Sequence, residues 1–350
     1  MSGIAGPAPV AAPQRAAGWS HWSLLLGIAV SAAFVAIVLR GVDVPELRSA
    51  LRDIRGGFLI TGFACGLAAC WVMGLRWQTL LHAVRPVTAA DAVDQVMIGN
   101  LAGLLLPARM GDVARVVLMR ARWQIAPTRV IGCMVVERLT DVMALLVIAT
   151  ALMPIVALPA AVRVALGTLA VAAMITIVAL WIGTRHGAAF FGPVFDRLPG
   201  WAGRRARELT GRLIEGWHGV KSARGAIRAC AWTGAIWGLS GLALASYVIA
   251  LRLPVPWYAG AMVLVLTNLG GLVPSAPGAI GVYHYLAMLA LSLWGVDKSA
   301  ALGFAVVSHA LTLLATAVGG SYSLTRQGLT LRSLRTPGVL QSVSTGGTEE

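Results

Sequence analysis

"NLAGLLLPARMG" (residues 100–111) and "NLGGLVPSAPG" (residues 268–278) are two copies of one phrase. Each reads Asn-Leu-small-Gly-Leu, runs through apolar residues to a proline, and places a glycine four residues later: Pro107 then Gly111, Pro274 then Gly278. Proline removes a backbone donor, and glycine opens turns closed to other residues. Together they stop a helix and leave backbone polar groups free. Inside a bilayer such groups persist only where they are buried in protein or face a water-filled cavity. The repeated break therefore predicts a polar hollow between two interrupted helices.

That the setting is a bilayer follows from composition. The chain has 350 residues, 58% hydrophobic and 12% charged, with a mean hydropathy of +0.79. Soluble domains carry roughly 25% charged residues. The formal charge of +14 has no basic module with interleaved aromatics behind it, so nucleic acid is not an expected partner. The arginines flank apolar segments, which suits positive-inside topology and contact with anionic lipid. Cys65, Cys70, Cys133 and Cys230 form no C-x-x-C pair, and the six histidines show no ligand spacing. Neither a disulfide framework nor a metal site is expected, and no cofactor.

Six segments qualify as full spans: about 22–40, 57–81, 130–152, 159–183, 229–251 and 299–322. A Pro/Ala-rich tail, 1–21, precedes them, and the first apolar run is read as an uncleaved helix. The connection 184–228 carries nine Lys/Arg and should be cytoplasmic, as should both termini and the tail 323–350. Within it, "WAGRRARELTGRLIEGWHGV" spaces Leu209, Leu213, Trp217 and Val220 as one face of an interfacial helix. "VPELRSALRDIRGG" (44–57) is a second candidate, with Leu47, Leu51 and Ile54 on one side. This topology makes residues 91–120 come and go on the cytoplasmic side and 257–294 on the outside. The fold class is thus all-α and polytopic: about six full spans plus two re-entrant broken-helix hairpins of opposite orientation, as in inverted-repeat transporters.

Several charged residues sit beside the breaks. Arg109 follows the first proline and is the candidate for meeting a phosphate, since guanidinium offers a planar fork and stays charged. Asp112 and Arg115 are three apart and can hold one another. Glu137, Arg138 and Asp141 lie on an otherwise apolar span, which is costly unless they face the interior and pair. They could brace the first hairpin's arginines, or bind protons or cationic headgroups. In the second copy, Pro274, Pro277, Gly278 and Gly281 make the break and Ser275 supplies a hydroxyl. Free N–H groups after Gly281 suit an anion, with Tyr283, His284 and Tyr285 following. His309 in the last span is another candidate proton group, though it reads first as a buried, satisfied histidine, and Arg76 with Trp77 reads as a pair of interface anchors.

"RWQTLL", "NLAGLLLPARMGDVAR", "VERLTDVMALL" and "VPSAPGAIGVYHYLAML", in that order, resemble the blocks of the flippase-like transmembrane domain of bacterial lysylphosphatidylglycerol synthases and its stand-alone relatives. The likeness runs from about residue 22 to 322. It implies a lipid-translocating domain with two re-entrant elements, and it carries over Asn100, Pro107, Arg109, Gly111, Asp112, Arg115, Glu137, Arg138, Asp141, Pro274, Pro277 and Gly278. Many members have Glu at the position of Asp112 and an acid at that of His284. The aminoacyl-transferase domain of full synthases is not expected here, and "GVYHY" points toward the hopanoid-associated relatives.

The expectation is an inner-membrane lipid flippase or transporter with substrate-facing Asn100, Arg109, Asp112, Arg115, Glu137, Arg138, Asp141, Asn268, Ser275, Tyr283 and His284. Membrane lipids are the expected partners, anionic headgroups above all. Lipid-synthesis enzymes or a second copy of the chain could join them. No G-x-x-x-x-G-K-[ST] motif appears, so movement would be downhill or ion-coupled. The rival readings are a membrane transferase or phosphatase on lipid-linked substrates, and a scaffold. No nucleophile–base pair or HExxH supports the enzyme.

Overall fold

Helices α1 (Gly56–Leu81) and α8 (Ala223–Ala250) pack along their whole length. The structure, a computed structural model, describes residues 35, 37, 45, 53–82, 84–106, 110–156, 160–186, 192–216, 222–270 and 277–330. Most of the predicted span 22–40, most of the surface helix 44–57, and residues 331–350 lie outside them. Among the described residues all regular structure is helical.

Between these two helices run α2 (Ala89–Leu105), α3 (Met110–Trp123), α4 (Pro127–Leu152), α5 (Ala160–His186), the short α6 (Gly192–Phe195) and α7 (Gly200–Gly216). After α8 come α9 (Ala259–Gly270), a 3₁₀ turn at Pro277–Ala279, α10 (Val282–Ser292) and α11 (Lys298–Arg326). α1, α8 and α11 are long and apolar enough to cross a membrane by length and composition. α4 is as long as α1 but carries Arg129, Glu137, Arg138 and Asp141. The helix at 200–216 does form where the basic connection predicted one, and it packs against α4. Trp217 and Val220 lie outside the described residues, as do the side chains of Leu209 and Leu213.

Local chemistry sets these limits. Thr88 caps α2 by accepting from the Asp91 N–H at 3.1 Å, Ser222 caps α8, and Asp297 caps α11, each satisfying an orphan donor of the first turn. Pro127 opens α4, where its missing N–H costs nothing. Leu106 ends α2 at φ −111°, ψ 141°; the residue before a proline is driven to this extended region. Gly278 has φ +72°, a left-handed conformation that a Cβ disfavours.

The arrangement of the two halves follows from which residues touch. The Arg55 N–H donates to the Ala250 carbonyl at 2.9 Å, Gly62 packs against Tyr247 and Ala243, and Arg76 reaches Thr233 at 3.2 Å. α1 and α8 are therefore antiparallel. α2 folds back along α1, with Gly74 against Val93, and α9 folds back along α8, with Gly260 against Ala245. The two broken segments thus start at opposite ends of the α1/α8 pair and run toward one another. Their tips meet where Gly278 lies against Leu104. Each also packs on the long helix of the other half: α2 on α11 and α9 on α4.

The first break is a tight antiparallel hairpin. Gly103 faces Gly111, and one turn further from the bend Gly99 faces Arg115. Apolar cores form on both sides of the pair. One gathers Trp77, Leu80, Val96, Met119 and Val136 around α1 to α4; the other gathers Leu146, Tyr247, Met262, Leu291 and Phe304 from α4, α8, α9, α10 and α11.

Candidate functional site

Two polar clusters are buried in this apolar body, one under each break. The first joins four helices. Arg76 of α1 makes a fork with Asp141 of α4, Nη1 to Oδ1 at 2.5 Å and Nη2 to Oδ2 at 3.1 Å. Asp141 also accepts from Trp237 Nε1 on α8 at 3.0 Å. Arg115 of α3 makes a second fork with Glu137, at 3.2 and 2.9 Å. Arg76 Nη2 lies 3.5 Å from Glu137 Oε1 and links the two forks. The Arg115 guanidinium also stacks 4.0 Å over the ring of Trp77, a cation–π contact worth about 2 kcal/mol when desolvated.

The quartet is electrically closed. Two guanidiniums meet two carboxylates, and Arg76, Arg115 and Glu137 are 1–3% exposed. Burying a charge without a partner costs several kcal/mol, so neutral, bidentate pairing is the condition for keeping four charges here. Both arginines retain an Nε without a hydrogen-bond partner. In chemical terms the cluster fastens α1, α3, α4 and α8 together beneath the first hairpin.

Two sequence expectations are corrected here. Asp112 and Arg115 do not hold one another: Asp112 accepts from Arg138 at 3.1 Å, while Arg115 turns to Glu137. The face of α3 that carries Arg115 is pressed onto α2 through Gly99, which leaves Asp112 toward α4's outer side. Arg76 and Trp77 are not interface anchors but fully buried, at 1% and 0% exposure. A lone arginine in an otherwise apolar span was the available signal for Arg76. Thr233 and Trp237 carried none that set them apart from other span residues.

The Asp112–Arg138 pair is half-exposed, with side chains 36% and 55% accessible. Exposed pairs contribute little, about 0.2–1 kcal/mol. Asp112→Ala and Arg138→Ala are each expected to shift the melting temperature in detergent by no more than a few degrees. A double-mutant cycle on the purified protein reads the coupling, and a coupling above about 2 kcal/mol would contradict the assignment.

The second cluster sits at the other break. The rings of Tyr283 and His309 stack at 4.2 Å, and His284 meets His309 edge-on at 5.1 Å. Tyr283 Oη shares a hydrogen bond with Ser308 Oγ at 3.1 Å. His284 Nδ1 accepts from the Gly281 N–H at 3.3 Å, which places the proton of the neutral ring on Nε2. His309 and Ser308, buried at 5% and 0%, were not among the expected site residues, because a lone histidine on a span reads as core until its neighbours are known.

Of the remaining candidates, Asn268 is spent locally, donating to the Leu264 carbonyl at 2.9 Å. Asn100 is partly buried on α2. Pro107, Arg109, Pro274 and Ser275 lie outside the described residues, as does the Pro277 side chain. No group of three or more His, Cys, Asp or Glu that could hold a metal occurs among the described residues.

A third tie closes the far end of α2. Asp94, 2% exposed, accepts from Arg326 Nε at 2.8 Å and from Gln327 Nε2 at 2.5 Å. It pins the start of the first broken segment to the end of α11.

Among known proteins, the family model for the lysylphosphatidylglycerol synthase TM region matches residues 24–320. No curated protein and no solved structure matches the chain.

Proposed function

The chain belongs to the family of the lysylphosphatidylglycerol synthase TM region, a membrane family related to lipid modification or transport, and from that premise we propose that it is a lipid flippase of the bacterial cytoplasmic membrane. The observation that carries this reading is the pair of broken segments that start at opposite ends of α1/α8 and meet tip to tip. α2 has 17 residues and α3 has 14; α9 has 12 and α10 has 11. At 1.5 Å per residue these arms are about 16–26 Å long. A bilayer core is about 30 Å thick. Each arm stops short of that thickness, which supports reading each pair as a re-entrant hairpin, one from each face.

Short arms that end mid-membrane leave backbone polar groups at depth, where a headgroup can use them while its tails stay in lipid. Alternation between the two openings would rock one half against the other about α1/α8. The closed quartet keeps the first hairpin rigid on its scaffold. The enzyme reading gains nothing from the quartet, whose acids are consumed by arginines.

The test is a scramblase assay. The full-length protein is reconstituted in vesicles with fluorescent phosphatidylglycerol, and dithionite bleaches the outer leaflet. Acceleration of inner-leaflet exposure over protein-free vesicles is expected. Bleaching that stops at the outer half, with turnover of the lipid seen by thin-layer chromatography, would replace transport with catalysis.

A further inference from the structure

The ring cluster of Tyr283, His284 and His309 is more than packing. It joins α10 to α11 and lies far from both ends of α11. His309 is 12 residues after Asp297 and 17 before Arg326, so about 18 Å and about 25 Å from the charged ends of that helix. The elements packed around it are poor in charge. α9 has no Asp, Glu, Lys, Arg or His, and neither does α2 from Met97 to Leu105. α1 directs Arg76 to its own acids on α4, and Tyr247 of α8 shares one apolar core with Cys65 of α1 and Tyr283. On α10 itself His284 is the one charge-capable residue besides the tyrosines.

Among the described residues, a proton accepted here has no carboxylate to meet. Uncompensated charge in this interior costs several kcal/mol, and an anion within about 4 Å offsets most of it. Proton and anion therefore favour one another's binding, and the coupling is reciprocal. We propose that the Tyr283–His284–His309 cluster is a proton-linked binding site for an anionic phospholipid headgroup, occupied when one histidine is charged and vacated when both are neutral. The inference rests on the transport reading and names its coupling ion as the proton and its substrate class as anionic.

The experiment measures binding of short-chain phosphatidylglycerol to the full chain in micelles, with short-chain phosphatidylcholine as the zwitterionic control. Between about pH 8 and about pH 5.5 the affinity for phosphatidylglycerol should rise about tenfold, the choline lipid being unaffected. His309→Gln should flatten that rise while melting as the wild type does. Should that variant melt early, the wild type alone decides: ring ¹⁵N shifts of its histidines must report proton uptake when phosphatidylglycerol is added at constant pH. A flat wild-type profile, a rise that survives in both His309→Gln and His284→Gln, or lipid addition without proton uptake overturns the proposal. A flat profile in protein that still moves lipid sinks this inference alone. Proton-linked binding in protein that moves no lipid sinks the transport reading alone.

Discussion

Glu137→Ala is expected to destabilise the protein by about 3–5 kcal/mol, the usual cost of stranding one partner of a buried pair. Glu137 receives both Nη atoms of Arg115 and lies 3.5 Å from Arg76, so its removal leaves the quartet with one net positive charge. Asp141 cannot absorb it. Its oxygens are already taken by Arg76 and Trp237, and Arg115 projects from a different helix. Glu137→Gln keeps an acceptor and loses the charge, so it should fall between. The diagnostic variant is Glu137→Met with Arg115→Met. Apolar replacement of a whole buried pair is often neutral, so the double variant should melt well above Glu137→Ala. If Glu137→Ala melts within about 1 kcal/mol of wild type, the residue is solvated and the closed quartet is wrong.

Gly111→Ala should be the most damaging single-methyl substitution in the first hairpin, by about 1–3 kcal/mol, and Gly111→Leu worse. A Cβ at Gly111 would meet the backbone of Gly99 and Gly103, and neither can swing aside as a side chain could. The hairpin must splay, drawing Arg115 away from Glu137. Gly103→Ala is the matched control on the facing helix. Its new Cβ would find the Gly111 Cα at 3.9 Å, an ordinary contact, so stability close to wild type is expected. Thermal melts of both purified variants read the difference directly. Equal melting temperatures would mean that the two arms are not in contact as described. Because the splayed arm no longer presents its tip to Gly278, lipid movement should fall further in Gly111→Ala than the loss of folded protein accounts for.

Much of this was legible in residues read in order. The breaks fall where Pro107 and Gly278 put them, because pre-proline restriction and left-handed φ act over a residue or two. Thr88, Ser222 and Asp297, which the sequence reading did not single out, also cap the helices they precede, for the same local reason. The clustering of Glu137 and Asp141 on an apolar span announced a buried ionic site, since the membrane makes such charges costly, whereas Arg138, expected with them, lies half-exposed against Asp112. Partner choice was not legible. Arg115 has Asp112 three residues away and pairs instead with Glu137, 22 residues off. Arg76 has no charged neighbour on its own helix, and it finds Asp141 at a separation of 65 residues and Thr233 at 157.

The amino-acid order alone therefore determined the kind of molecule: an apolar helical chain of the bilayer, interrupted twice by the same short-range stops. Tertiary structure decided which half faces which and what each charge rests against. The tips meet because α1 and α8 run antiparallel, and the quartet is neutral because packing brought two forks from α1 and α3 onto one face of α4. The physical reason is range. Helix stops and caps are settled by covalent neighbours, whereas desolvation is levied only once the chain has closed around a charge, and a guanidinium then takes whichever carboxylate the packing has left beside it.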